Sequence, residues 1–205
     1  MSMALPKDFL DKFKRIPLDV VGLDITSSGI KAVRIKKNNT ELSVIAADIL
    51  PPVTVIPATA EEPEHLAPLV LPPKLKGKYA SVAISGEDAI VKLLSLPGHF
   101  DAEMESKVID AMGVEKPDEF RISYKLISEG HGKAESRILG VAVSEVKAGI
   151  ITQLLPAGLP APFSLELSGL ASLTAFANGP GAKDAENASG VINFEEDTCT
   201  FAIFN

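Results

Sequence analysis

The stretch VVGLDITSSGIKAVRI at residues 20–35 constrains the fold more than any other part of the chain. Two runs rich in aliphatic and β-branched residues flank a short turn of hydroxyl side chains and one glycine, the pattern of a tight hairpin. Strands are predicted over 20–24 and 30–36. In the second, Val33 and Ile35 alternate with Arg34 and Lys36, which predicts a dry face carrying Val33 and Ile35 and a wet face opposite. KKNNT at 36–40 supplies another turn, with asparagines that tolerate left-handed backbone geometry. A third strand is predicted over 41–49, so a three-stranded meander opens the fold.

Residues 51–63 form a proline-bearing connection, and a short helix is predicted over 64–71, limited by Pro68 and the Pro72-Pro73 pair. Strands at 79–85 and 89–96 flank the turn SGED. DAEMESKVIDAM predicts a helix from an Asp101 N-cap through Met112, with Met104, Val108, Ile109 and Met112 on one face. A strand pair at 120–128 and 137–143 follows, then a helix with Ser144 as N-cap that ends at 156–158. A strand at 162–167, a helix at 170–177, the loop NGPGAKDAENASG and a β-rich stretch at 190–204 complete the order. Strands that form after a long linker need something to pair and pack with. The chain therefore reads as a two-lobed protein cut just inside its second lobe.

The 205 residues are 46% apolar and 23% charged, a globular composition rather than a disordered one. A net charge of −7 argues against nucleic acid as a partner. The single cysteine, Cys199, excludes an intramolecular disulfide, and His65, His99 and His131 stand too far apart for metal-ligand spacing. No apolar run approaches the roughly 18 residues of a membrane span, and the N-terminus lacks a signal-peptide core. A cytoplasmic protein is expected. ALPKDFLDKFKRIP sets Leu5, Phe9, Leu10, Phe13 and Ile16 near one helical stripe, with Lys7, Lys12, Lys14 and Arg15 around it. That pattern suits a helix packed on its own domain or one lying on a membrane surface.

The first hairpin has the parts of an anion site. Backbone N–H groups converging in a turn make an anion nest, and Thr26, Ser27 and Ser28 add hydroxyl donors. Lys31 offers a point charge to a phosphate, and Asp24 offers a carboxylate to a hydrated Mg²⁺. From spacing alone, an acidic residue before a Ser/Thr turn is a common structural hairpin.

GLDITSSGIKAVRI resembles the first phosphate loop of the actin-like ATPase superfamily, and within it that of the PilM-like type IV pilus assembly proteins. In that family an Asp is followed by an apolar residue, Gly, small or hydroxyl residues, and Lys at the seventh position; Asp24 and Lys31 keep this spacing. YASVAISGEDAIVKLLSLPG resembles the lead-in to the family's inserted subdomain, DAEMESKVIDAM its helix, and ISYKLISEG the strand after it. SRILGVAVSEVKAGIITQLLPAGLPAPFSLELSGLASLTAF resembles the return from the insert. The resemblance implies an α/β fold: an actin-like, ribonuclease H-like lobe with a small inserted α+β subdomain of SHS2 type. It places an N-terminal amphipathic segment at 1–18, subdomain 1A at 19–89 and 146–178, the insert 1C at 90–145, and a linker with the start of the second lobe at 179–205.

The same resemblance implies Asp24, Thr26, Ser27, Ser28, Lys31 and Asn193 as nucleotide-site positions, with ATP and Mg²⁺ as ligands in the intact family. Two departures weaken that site here. Thr26 stands where the family has the glycine that lets backbone approach phosphate. In the second loop, INFEEDTCTFAIF, Asn193 replaces the Asp and Glu195 the Gly, while Glu196 and Asp197 fill the turn. These carboxylates would repel a triphosphate; they read as a solvated acidic turn, or alternatively as metal ligands. The expectation is a degenerate site without hydrolysis, no catalytic residue and no cofactor.

What the resemblance then implies is a scaffold of a pilus assembly machine, cytoplasmic and peripheral to the inner membrane. Its partners would be the cytoplasmic N-terminal peptide of a PilN-like membrane protein, other pilus assembly proteins and further copies of itself. The peptide would lie along a strand edge or groove, with candidate lining at 90–96 and in the helix 145–155. The alternatives are a working ATPase, or an ATP-binding relative from a type II secretion (GspL-like) or cell-division (FtsA-like) complex.

Overall fold

The opening meander forms as expected. Strand β1 (Asp19–Ile25) runs antiparallel to β2 (Ile30–Asn38), with Asp24 opposite Lys31, and β2 runs antiparallel to β3 (Glu41–Leu50). The turn between β2 and β3 holds Asn39 at φ 56°, the left-handed geometry that its side chain tolerates. The structure is a computed structural model and describes residues 18–39, 41–87, 89–98, 104–130, 134–179, 189–196 and 198–204. The expected N-terminal helix, His99, Asp101, His131 and Asp197 lie outside the described residues.

The dry face of β2 is the opposite of the expected one. Ile30 and Ala32 are buried, whereas Val33 and Ile35 are 38% and 37% exposed. The strand carries aliphatic residues on both faces, so alternation alone left the choice to its charged member, Arg34. Asp19 is buried on the core side and draws Arg34 there: Nε and Nη2 donate to its two carboxylate oxygens, each at 2.8 Å, and Nη1 donates to the Lys74 carbonyl at 3.4 Å. A bidentate guanidinium–carboxylate pair satisfies both charges at once.

After β3 the chain forms β4 (Val55–Ile56) and β5 (His65–Leu66), a two-stranded ribbon where a helix over 64–71 was expected. Amide donors that a helix would use internally go elsewhere: Leu66 N–H to Gln153 Oε1 at 2.9 Å, Ala67 N–H to the Thr54 carbonyl at 2.9 Å, and Leu69 N–H to the Leu154 carbonyl at 2.8 Å. Prolines at 63, 68, 72 and 73 further exclude continuous helix. Strand β6 (Tyr79–Ile84) then joins β1 in parallel, and β10 (Ala161–Leu167) joins β6 in parallel. The result is a five-stranded mixed sheet in the order β10-β6-β1-β2-β3.

Between β6 and β10 lies a separate unit. Its strands are β7 (Ile90–Pro97), β8 (Phe120–Ser128) and β9 (Glu135–Ser144), antiparallel in the order β7-β9-β8, with helix α1 (Met104–Met112) against one face. Met104, Val108 and Met112 bury with Leu94, Ile138 and Ala142 in a core of their own, as the helical spacing predicts. Gly140 lets Met112 reach the sheet, because a Cβ there would collide with its sulfur.

The expected helix after Ser144 is split into α2 (Glu145–Ala148) and α3 (Ile150–Leu154) at Gly149. Ser144 caps it as predicted, its Oγ accepting from the Lys147 N–H at 3.2 Å. Ala148, Ile151 and Leu154 close the main core over Val21, Leu23, Ile30, Val82 and Leu75. Helix α4 (Ser168–Asn178) follows β10, and β11 (Ser189–Phe194) pairs antiparallel with β12 (Cys199–Phe204). The other face of the five-stranded sheet opens into a cavity of about 860 Å³, where Val33, Ala47, Ile49 and Ala83 meet Asp24 and Lys31.

Asp19→Asn should lower stability by about 2–3 kcal/mol near neutral pH, as expected for a lost hydrogen-bonded charge pair, measured by urea unfolding. Arg34, through hydrogen bonds first and its charge second, holds the Asp19 carboxyl below the usual carboxylate range. The pair's contribution is therefore complete above the unfolded Asp value of about 3.9 and disappears as pH falls through the lower folded value. The gap between wild type and Asp19→Asn should narrow as pH drops below about 4; a gap independent of pH would contradict this assignment.

Candidate functional site

The β1–β2 turn closes on itself: Thr26 N–H and Thr26 Oγ1 both donate to the Gly29 carbonyl, each at 2.9 Å. Asn39 is the only non-glycine residue at positive φ among the described residues, so Thr26 adopts no left-handed backbone. Gly29 is required by the packing of this turn. A Cβ there would sit 2.8 Å from the Leu50 carbonyl oxygen, so its role is to let the end of β3 approach the turn. The Ser27 hydroxyl and the Ser28 N–H are left facing outward.

Asp24, the carboxylate at the end of β1, has two partners. Ser168 Oγ lies 2.6 Å from its Oδ1, and Lys31 Nζ lies 3.4 Å from Oδ2. The Lys31 side chain is 64% exposed, so this pair contributes little to stability. Ser168 is the closer and better buried partner, also within 3.2 Å of the Ile84 carbonyl. It reaches Asp24 across 144 residues of sequence because β10 runs parallel to β6 and α4 starts where β10 ends. Sequence reasoning missed Ser168, since no local spacing connects it to Asp24.

The second hairpin divides its acidic turn between two tasks. Glu195 is turned back into its own loop: Asn193 Nδ2 donates to Oε1 at 2.6 Å, Thr198 Oγ1 donates to Oε2 at 2.9 Å, and the Glu195 N–H donates to the Thr198 carbonyl at 2.9 Å. Glu196 reaches outward to the first hairpin. Its Oε2 accepts from Ser27 Oγ at 2.5 Å and from the Ser28 N–H at 3.0 Å. These hydrogen bonds, Ser27 foremost, push the Glu196 carboxyl down to about 2. Thr200 of β12 sits against Gly169 of α4, where a Cβ would collide with its side chain, so the hairpin is seated on the helix at a second point.

The expected nucleotide residues are therefore spread over three places. Asp24 and Lys31 line the large cavity on the open sheet face. Thr26 and Ser27 share a separate cavity of about 230 Å³ with Glu195, Glu196, Lys147 and Ile150. Ser28 meets Glu196 at the turn, and Asn193 is engaged within its own hairpin. No cluster of three or more His, Cys, Asp or Glu side chains suited to a metal ion occurs among the described residues. In this arrangement a carboxylate already meets the Ser27 and Ser28 donors, and Asp24 is engaged by Ser168 and Lys31.

No protein-family model and no curated protein matches the chain. Solved structures do. The chain resembles a protein of the PilM-PilN type IV pilus biogenesis complex at 18% identity and a TM-score of 0.67, over 92% of its own length and 58% of that chain. It also aligns with a Bacteroides thetaiotaomicron protein of actin-like ATPase fold and unknown function, at 8% identity and TM-score 0.46, over 94% of its own length and 67% of that chain. A third alignment, at 11% identity and TM-score 0.38, is to the cytoplasmic domain of EpsL, an inner-membrane component of the Vibrio cholerae type II secretion system, over 72% of this chain and 57% of that one. The last two are too distant in geometry to carry an argument. The chain spans just over half the length of the pilus-complex protein. The fold is the α/β fold of that pilus-complex protein.

Proposed function

We propose that this chain is a docking scaffold of a type IV pilus assembly machine. It takes the cytoplasmic N-terminal peptide of a PilN-like membrane protein and holds a nucleotide site that no longer hydrolyses ATP. The observation that carries the reading is the free edge of the inserted sheet. Strands β7 and β8 are terminal in the order β7-β9-β8, so among the described residues one side of the β7 backbone lacks a strand partner. Val91 and Leu93, which pair with Val141 and Leu139 of β9, are 44% and 55% exposed. An edge strand with alternate apolar side chains is what an extended peptide needs: ladder hydrogen bonds for affinity and side-chain contacts for specificity. Unprotected, the same edge would be an aggregation hazard, which a resident peptide would remove.

Capture of a membrane-anchored peptide would hold the scaffold beside the cytoplasmic face of the inner membrane. No helix among the described residues is long and apolar enough to cross a membrane. The fold likeness to a protein of a PilM-PilN complex supports this partner class. A working ATPase is the second reading, favoured by Asp24 and Lys31 at the spacing of a phosphate loop.

Two measurements separate these readings. Fluorescence anisotropy with the N-terminal peptide of a PilN-like protein should show binding that Leu93→Asp weakens at least tenfold, about 1.4 kcal/mol, with an unchanged melting temperature. Equal binding by Leu93→Asp would remove β7 as the docking edge. Millimolar Mg²⁺-ATP should leave the melting temperature of the protein unmoved, because only a ligand of the native state raises it. A dose-dependent, magnesium-requiring rise would favour the ATPase reading.

A further inference from the structure

We propose that the anion nest of the β1–β2 turn has a ligand supplied by the chain itself: the Glu196 carboxylate sits where that turn would otherwise take a phosphate oxygen, and so clasps the two hairpin turns together. This deepens the reading of a degenerate nucleotide site and rests on it. Two donors of different kinds, the Ser27 hydroxyl and the Ser28 N–H, converge on a single oxygen, Glu196 Oε2. Convergent backbone and hydroxyl donors are the chemistry of oxyanion recognition, and a carboxylate meets it as a phosphate does.

Three further observations bear on the clasp. Glu195 and Glu196 are neighbours in sequence with opposite tasks: Asn193 and Thr198 hold the first within its hairpin, which leaves the second directed across the gap. The seating of Thr200 on Gly169 brings the hairpin to the nest by a contact independent of any charge. The depressed Glu196 carboxyl remains ionised at every ordinary pH, so the nest is always offered an anion. A polyphosphate entering from solution would compete with a carboxylate tethered at high effective concentration and would meet Glu195 beside it.

The test uses the full chain, labelled with ¹⁵N, as wild type, Glu196→Gln, Glu196→Ala and Ser27→Ala. Inorganic pyrophosphate is the probe. Hydrogen exchange at the Ser28 amide should accelerate at least tenfold in Glu196→Ala, with Ser27→Ala and Glu196→Gln falling between it and wild type. Pyrophosphate should shift the Ser27 and Ser28 amide resonances in Glu196→Ala and leave them unmoved in wild type. Unchanged Ser28 exchange in Glu196→Ala would overturn the clasp. Pyrophosphate shifts of equal size in wild type and Glu196→Ala, or in neither, would overturn the role of Glu196 as an internal phosphate surrogate. Peptide binding at β7, read on the same samples, reports on the scaffold separately, so loss of one assignment is distinguishable from loss of the other.

Discussion

Arg34 is the residue on which the orientation of the main sheet depends. On a strand with aliphatic residues on both faces, burial of either set would satisfy the hydrophobic effect, and a one-residue change of register exchanges them. Asp19, itself buried, sits on the core side of β1 and offers two oxygens to the guanidinium. A buried carboxylate left alone is costly, and so is a buried guanidinium. Pairing them removes both penalties in only one of the two arrangements. With Arg34 directed inward, Ile30 and Ala32 follow it into the core, and Lys31 and Val33 turn to the open face beside Asp24. The chemistry-bearing end of the hairpin is thus oriented by an ion pair that begins at the opposite end of β1.

From that orientation the rest of the site follows. Parallel addition of β6 and β10 carries the start of α4 to the end of β1, which places Ser168 on Asp24. The same helix gives the second hairpin its seat at Gly169. Of the carboxylates of the second turn, Glu195 is engaged within its own turn and Glu196 bridges to the first hairpin. The inserted unit has its own core and its own exposed edge, so a partner can be held there without involving the hairpin turns.

Much of this was legible in the residues. β-rich runs bounded by turn signals located the strands of both sheets, the spacing of Met104, Val108, Ile109 and Met112 identified the stripe of α1, of which Ile109 stays only half-buried, and Ser144 announced a helix start. What stayed hidden has physical reasons. The facing of β2 depended on Asp19, fifteen residues away from Arg34. The β4–β5 ribbon depended on acceptors from Thr54, Gln153 and Leu154, which no window around residue 66 contains. Ser168 and Glu196 act across 144 and 168 residues, respectively, so their partners were set by topology rather than by local pattern.

The proposed framework serves as a platform for a partner while its phosphate turn is filled from within. A crystal structure of the chain grown with the PilN-like peptide and Mg²⁺-ATP together decides this. The expected result is an extended peptide added to the free edge of β7 and the Glu196 carboxylate at Ser27 and Ser28. Nucleotide phosphates at the 26–29 turn, with Glu196 displaced and no peptide along β7, would contradict it.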